Sequence, residues 1–277
     1  MSRMPTGRAA GLPLLSYGLL AAYLLAMAAR SHSETTLLLV ASSLAMFACC
    51  WASASHLLGP PAALRFVALG LLLGWFAEQM GASRGWFFGS YTYTEVLGPR
   101  LGQVPLVIPL MWFALAYSGY AIANLIVCRV PVDASSRLSD AVLQSLLAAL
   151  IVTAYDLGAD PYMVRVVRAW TMAKTDGWWF GETVQGFFGW AGVCFAIVFA
   201  FRLTCRRWPA SPPPVAALHH GLVPLGVYGG SMVFQMAAGE PPETRSIAAL
   251  AMGIPLLCAG LGWRQGRREA ATGGGRQ

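Results

Sequence analysis

Asp156 and Asp160 stand four residues apart in the stretch DLGADPY, one turn apart on a single face if a helix continues to Pro161. Two carboxyls so placed oppose each other's ionisation, and low dielectric opposes it further, so that one can stay neutral near pH 7 and serve as a general acid. The same pair also fits a solvated helix end, with Asp160 before Pro161 as a turn or cap. A second dense patch runs from Glu78 to Pro105 and holds Glu78, Glu95, Phe88, Tyr91, Tyr93 and five glycines. Ionisable groups beside membrane-length apolar runs are costly, and by default they mark a functional site. Glu78 reads either as a buried group, protonated or paired with an arginine such as Arg84, or as a side chain reaching to the interface. Tyr91, Tyr93, Trp178, Trp179 and Trp190 fit either a substrate pocket or the aromatic belt of a membrane protein.

The elements that must position these groups are membrane helices. Apolar residues make up 57% of the 277-residue chain and charged residues 11%, against roughly 25% charged in a soluble domain. Runs able to cross roughly 30 Å of hydrocarbon fall near Gly11 to Ala29, Thr35 to Leu58, Ala62 to Gly81, Val104 to Cys128, Ala141 to Leu157, Gly186 to Leu203, Val215 to Ala238 and Ile247 to Trp263. The fold class is therefore all-α, a polytopic transmembrane bundle of about eight helices. One membrane domain is expected over 1–263, followed by a disordered basic tail over 264–277. The first run exceeds the length of a signal-peptide core and reads as a membrane helix. The seventh, interrupted by His219, His220 and Pro224, reads as kinked.

Lys174 is the only lysine among 19 basic residues. On alternate connections, 12 basic residues fall on one side and 7 on the other, which predicts cytoplasmic termini in the cell membrane. The acids divide the opposite way: Asp133, Asp140 and Glu269 against Glu34, Glu78, Glu95, Asp156, Asp160, Asp176, Glu182, Glu240 and Glu243. Candidate chemistry thus gathers at one membrane face. Both long connections, 82–103 and 158–185, lie there, and long loops in compact folds tend to be functional.

The net charge of +7 suggests orientation and anionic lipid before nucleic acid, and no nucleic-acid-binding signature is present. The six cysteines, Cys49, Cys50, Cys128, Cys194, Cys205 and Cys258, lack CxxC spacing and read as small apolar thiols. The four histidines lack metal-ligand spacing, and no serine-nucleophile, P-loop or dinucleotide motif occurs. No metal and no cofactor are expected.

As a set, Glu78, Gly81, Gly85, Phe88-Gly89, Tyr91, Tyr93, Leu97-Gly98-Pro99, Leu101 and Pro105, followed by Asp156, Asp160-Pro161, Trp170, Gly177, Gly181 and Gly189-Trp190, resemble the carotenoid biosynthesis membrane family. That family includes carotenoid 1',2'-hydratases of the bisanhydrobacterioruberin hydratase type. The resemblance implies a helix bundle that adds water to the terminal double bond of an acyclic, lycopene-like carotenoid, giving a tertiary alcohol. It also implies a place beside other carotenoid biosynthesis enzymes. The residues fit such a reaction: Asp156 or Asp160 would protonate the alkene and Glu78 or Glu95 would orient water. Tyr91, Tyr93, Phe88, Trp179 and Trp190 would line the pocket, where aromatic faces stabilise a cation. Two other readings stay open. The Asp156–Asp160 spacing is also half of a magnesium-dependent prenyltransferase signature, and the chain could bind or transport a carotenoid without changing it.

Overall fold

In hydrocarbon a single chain segment can satisfy its amides only by pairing with itself, and the apolar runs accordingly become helices. A computed structural model of the chain describes residues 11–132, 137–211 and 219–273, with side chains as far as residue 271. Among them are α1 (Gly11–Arg30), α2 (Thr36–Leu57), α3 (Pro60–Arg84), α4 (Val107–Cys128), α5 (Leu138–Tyr162), α6 (Val184–Arg207), α7 (Leu222–Ala238) and α8 (Glu243–Gly273). All eight are long and apolar enough to cross a membrane, so the chain is a multi-pass bundle. Arg3, Arg8, Asp133 and Arg276, which entered the charge count, lie outside the described residues.

Helix α4 is the hub. It packs against α2, α3, α5, α6, α7 and α8, and every residue from Trp112 to Leu125 is buried. A helix apolar all round belongs inside a bundle. By contrast α1 buries only Ser16, Tyr23 and Met27 and turns most of its surface outward. Close approach to the hub depends on glycine. A Cβ on Gly70 or Gly74 of α3 would lie 2.7 Å from the Cβ of Phe113 or Trp112, and one on Gly119 of α4 would lie 2.9 Å from the Ala148 carbonyl of α5. Packing of small residues is what brings helices together where apolar burial offers no preference over lipid.

Three details depart from expectation. The seventh helix begins at Leu222, so Pro224 sits in its first turn, where a missing amide costs nothing, and it produces no mid-helix kink. Residues 212–218, part of that expected span, lie outside the described residues. The stretch from Arg264, expected as a disordered tail, stays helical to Gly273. Its Arg-Arg-Glu-Ala-Ala run is made of good helix formers, and Glu269 pairs with Arg129 at the end of α4. The cysteines are free thiols, with Cys49, Cys50 and Cys194 buried but Cys258 exposed.

The membrane part is all-α, and the two long connections add short strands. In β1 (Tyr91–Tyr93) the Tyr-Thr-Tyr alternation sends both tyrosines inward and Thr92 outward. It pairs antiparallel with β4 (Trp170–Met172), Tyr91 opposite Met172 and Tyr93 opposite Trp170. Between them β2 (Arg100–Leu101) and β3 (Val104–Pro105) form a second small hairpin, pinned to α3 by bonds from Trp75 to the Leu101 carbonyl (3.1 Å) and from the Gln103 amide to Gln79 (2.9 Å). The two connections are thus laced into a roof over one end of the bundle.

Gly74→Ala tests the glycine contact. Alanine gains about 1 kcal/mol of helix propensity, yet its methyl would displace Trp112 in a packed interior, which costs about 1–3 kcal/mol. Net destabilisation is expected in thermal unfolding in detergent. Gly192→Ala, where nothing lies within 4 Å, should be neutral or stabilising.

Candidate active site

Glu78 lies six residues before the end of α3 and is 5% exposed. Tyr91 donates to its Oε2 at 2.5 Å, Tyr93 to the same oxygen at 2.7 Å, and the Trp112 indole to Oε1 at 2.8 Å. Gly81 makes this possible, since a Cβ there would come within 2.9 Å of the Tyr91 hydroxyl. All three partners are donors, which suits a carboxylate, a group that only accepts. Burial and the neighbouring Glu78 charge push both tyrosine hydroxyls well above their ordinary pKa, so they keep their protons at any physiological pH. Of the two readings of Glu78, the buried one holds, with hydroxyls and an indole as partners in place of Arg84. Tyr91 and Tyr93 are 7% and 6% exposed and are core residues, not an interface belt.

Helix α5 carries both aspartates inward, Asp156 at 1% and Asp160 at 7% exposure. Trp170 of β4 lines the same cavity as Asp160, while neither oxygen of Asp156 has a partner. Pro161 lies inside α5 and has no amide hydrogen to give the Leu157 carbonyl four residues back. The Trp179 indole takes that carbonyl at 3.0 Å. Arg165, in the π-helical turn Met163–Val167 that follows, bonds the Phe180 carbonyl at 2.9 Å. These two bonds hold a small hairpin, in which Gly177 faces Gly181 and Trp179 faces Glu182, against the end of α5. The hairpin delivers Glu182, 6% exposed and with Oε2 unpartnered, to the aspartates. One oxygen each from Asp156, Asp160 and Glu182 lies within 4.8 Å of the others.

Glu78, Asp156, Asp160 and Glu182 line one cavity together with Phe88, Tyr91, Tyr93, Trp112, Trp170 and Trp190. Trp112 is the centre of an aromatic row, 4.5 Å from Trp190 and 6.1 Å from Phe88 between ring centroids. Arg30 also borders the cavity, but Glu34 holds it at 3.0 Å, with further contacts to Ser42 and to the Phe234 ring. Tyr162 in turn donates to Glu34. Among the described residues, the cavity therefore has acids without a free cation beside aromatic faces. Four carboxyls so confined cannot all carry charge, and at least one must hold or share a proton.

Two of the expected residues lie elsewhere. Glu95, in the turn Glu95–Leu97, has a side chain 91% exposed and pairs with Arg100 at 2.8 Å, outside the cavity. Trp179 does not line it and serves as the anchor of the hairpin. Glu182, Trp112 and Trp170 went unassigned in the sequence reading. Glu182 had a signal in its place just before Thr183, the N-cap of α6, on the acid-rich face. Trp112 had none, because within an apolar helix an indole that holds a carboxylate looks like any core tryptophan.

The profile of the family described as carotenoid biosynthesis protein matches residues 16–256. A curated relative, bisanhydrobacterioruberin hydratase of Haloarcula japonica, is 30% identical over 143 residues, 50% of this chain and 45% of that protein. No solved structure matches.

Tyr91→Phe and Tyr93→Phe each remove one donor from a buried carboxylate. Each should cost about 1–3 kcal/mol, read as a fall in thermal midpoint, and the double variant should be worse than either alone.

Proposed function

Because the chain belongs to the carotenoid biosynthesis protein family, we propose that it adds water to the terminal 1',2' double bond of an acyclic carotenoid, giving a tertiary alcohol. The observation that carries this reading is the unpartnered, buried carboxyl of Asp156, beside Asp160 in a cavity that Phe88, Trp112 and Trp190 also line. Hydrating a trisubstituted alkene needs an acid strong enough to protonate carbon, then an environment in which the tertiary cation survives until water arrives. A carboxylic acid kept from water stays protonated at neutral pH and is available as the general acid, and the barrier that remains must be lowered by stabilising the cation. Aromatic faces attract the cation by about 0.5–2 kcal/mol each when desolvated, and the fixed charge of Glu78 adds Coulomb attraction in low dielectric.

In this mechanism Asp156 or Asp160 gives its proton to the less substituted alkene carbon, and the positive charge forms on the tertiary carbon. Tyr91, Tyr93 and Trp112 hold Glu78 ionised nearby. The polyene dissolves in lipid while the water comes from the membrane face, so the place where helix ends meet the roof suits both reactants. The arginine distribution supports a cell-membrane protein with cytoplasmic termini, which puts this face on the outer side. The named hydratase relative supports the reaction class, over the half of the chain that it matches.

Magnesium-dependent prenyl transfer is favoured by one observation, the three carboxyl oxygens within 4.8 Å. It fits less well, because a diphosphate also wants free arginines, and Arg30 is already held by Glu34.

Expression in a lycopene-producing bacterium should give pigment heavier by the mass of one water. Asp156→Asn and Asp160→Asn should each lower product by about 100-fold or more while the protein still accumulates in the membrane. Pigment that is bound but unchanged, with other acyclic carotenoids also untouched, would replace the hydratase reading with a binding role.

A further inference from the structure

Adding water to a cation leaves an oxonium, and that proton must go somewhere before the donor can act again. Glu78 is poorly placed to accept it, since Tyr91 and Tyr93 occupy Oε2 and Trp112 occupies Oε1. Glu182 differs on each count. It is 6% exposed, its Oε2 has no hydrogen-bond partner, and it shares a cluster within 4.8 Å with Asp156 and Asp160. It comes from the roof and not from a membrane helix, in the short hairpin that precedes α6. Gly186, one turn into α6, has no side chain, and a Cβ there would stand 4.0 Å from Glu182 Oε2.

We propose that Glu182 is the catalytic base that deprotonates the incoming water and returns the proton to the Asp156–Asp160 pair. The proposal rests on the hydratase reading above. The cycle balances without an added reactant. The aspartic acid loses H⁺ to the alkene carbon, whose π pair becomes the new C–H bond. A lone pair of water forms the C–O bond at the tertiary carbon. Glu182 Oε2 takes the proton that the oxonium sheds, then passes it to the aspartate left by the first step. Nothing is oxidised or reduced, and the net change is alkene plus water to alcohol. A divalent cation held by the same three carboxyls is the competing use of the cluster. Such an ion would need further oxygen ligands, from water or from lining residues such as Thr183 and Gln235, and a dependence of activity on added metal distinguishes it from a base.

The full-length protein in membranes tests this with Glu182→Gln and Glu182→Asp, assayed in D₂O. Without the base, protonation of the alkene still occurs but the cation collapses back. Glu182→Gln should therefore form alcohol about 100-fold more slowly while the recovered carotenoid gains deuterium at the less substituted carbon of its terminal double bond. Glu182→Asp should restore a substantial part of the rate. Added formate should rescue Glu182→Gly, because a small carboxylate can enter the space left by the side chain. A purely structural role would produce neither deuterated substrate nor formate rescue. Three results would overturn the proposal: alcohol formation by Glu182→Gln within about twofold of wild type, loss of hydration and exchange together, or wild-type activity that EDTA abolishes and magnesium or manganese restores. Each of these leaves wild-type hydration standing. Failure of the hydratase reading has a different signature, a wild-type protein that never adds water.

Discussion

A carboxylate inside a lipid-embedded bundle has to be compensated, and the way Glu78 is compensated organises this protein. Taking such a group out of water costs several kcal/mol. Three hydrogen bonds to it, at about 1.5–3 kcal/mol each, offset much of that cost. Meeting the requirement fixes much else. Tyr91 and Tyr93 must lie on the same side of an extended segment, Gly81 must leave room for a phenol, and Trp112 must aim its indole across from the central helix. The result joins α3, the roof and α4 in one polar knot, with no arginine spent on it.

The second half of the site follows a different logic. Asp156 and Glu182 have unpartnered oxygens, so their burial is not repaid locally, and the structure carries that cost through the packing around them. Unrepaid polar burial of this kind belongs where protons move, because a fully satisfied carboxyl has little tendency to give or take one. The contrast between a Glu78 with both oxygens hydrogen-bonded and an Asp156–Glu182 pair with unpartnered oxygens is what the proposed mechanism uses, one group to stabilise charge and the other to move a proton.

Much of this was legible in the sequence. Apolar length alone located the eight helices, and the two long connections singled out as functional are the ones that form the roof. The spacing of Asp156 and Asp160 put both on one side of α5, as observed. What the sequence could not show was set by contacts between distant segments. The pairing of β1 with β4 depends on residues some eighty positions apart, and a three-residue strand has too little pattern to announce itself. Trp179 looked like a pocket aromatic by composition. Its actual place follows from Pro161, which withholds an amide from Leu157 and so creates the acceptor that the indole takes. Glu95 shared a patch with Glu78 but sits on a turn whose Arg100 partner keeps it in solvent.

The polar knot at Glu78 has a bearing on how the chain is made. Glu78, Tyr91, Tyr93 and Trp112 all precede the fifth helix, whereas Asp156, Asp160 and Glu182 come from the fifth helix and the loop that follows it. Chains emerge amino end first, so the donors that hold the Glu78 carboxyl are synthesised before any of the other three carboxyls exists. The nascent protein thus never has to shelter all four acids at once without the means to stabilise one of them, and the carboxyls proposed to carry the chemistry arrive last, onto a platform already settled.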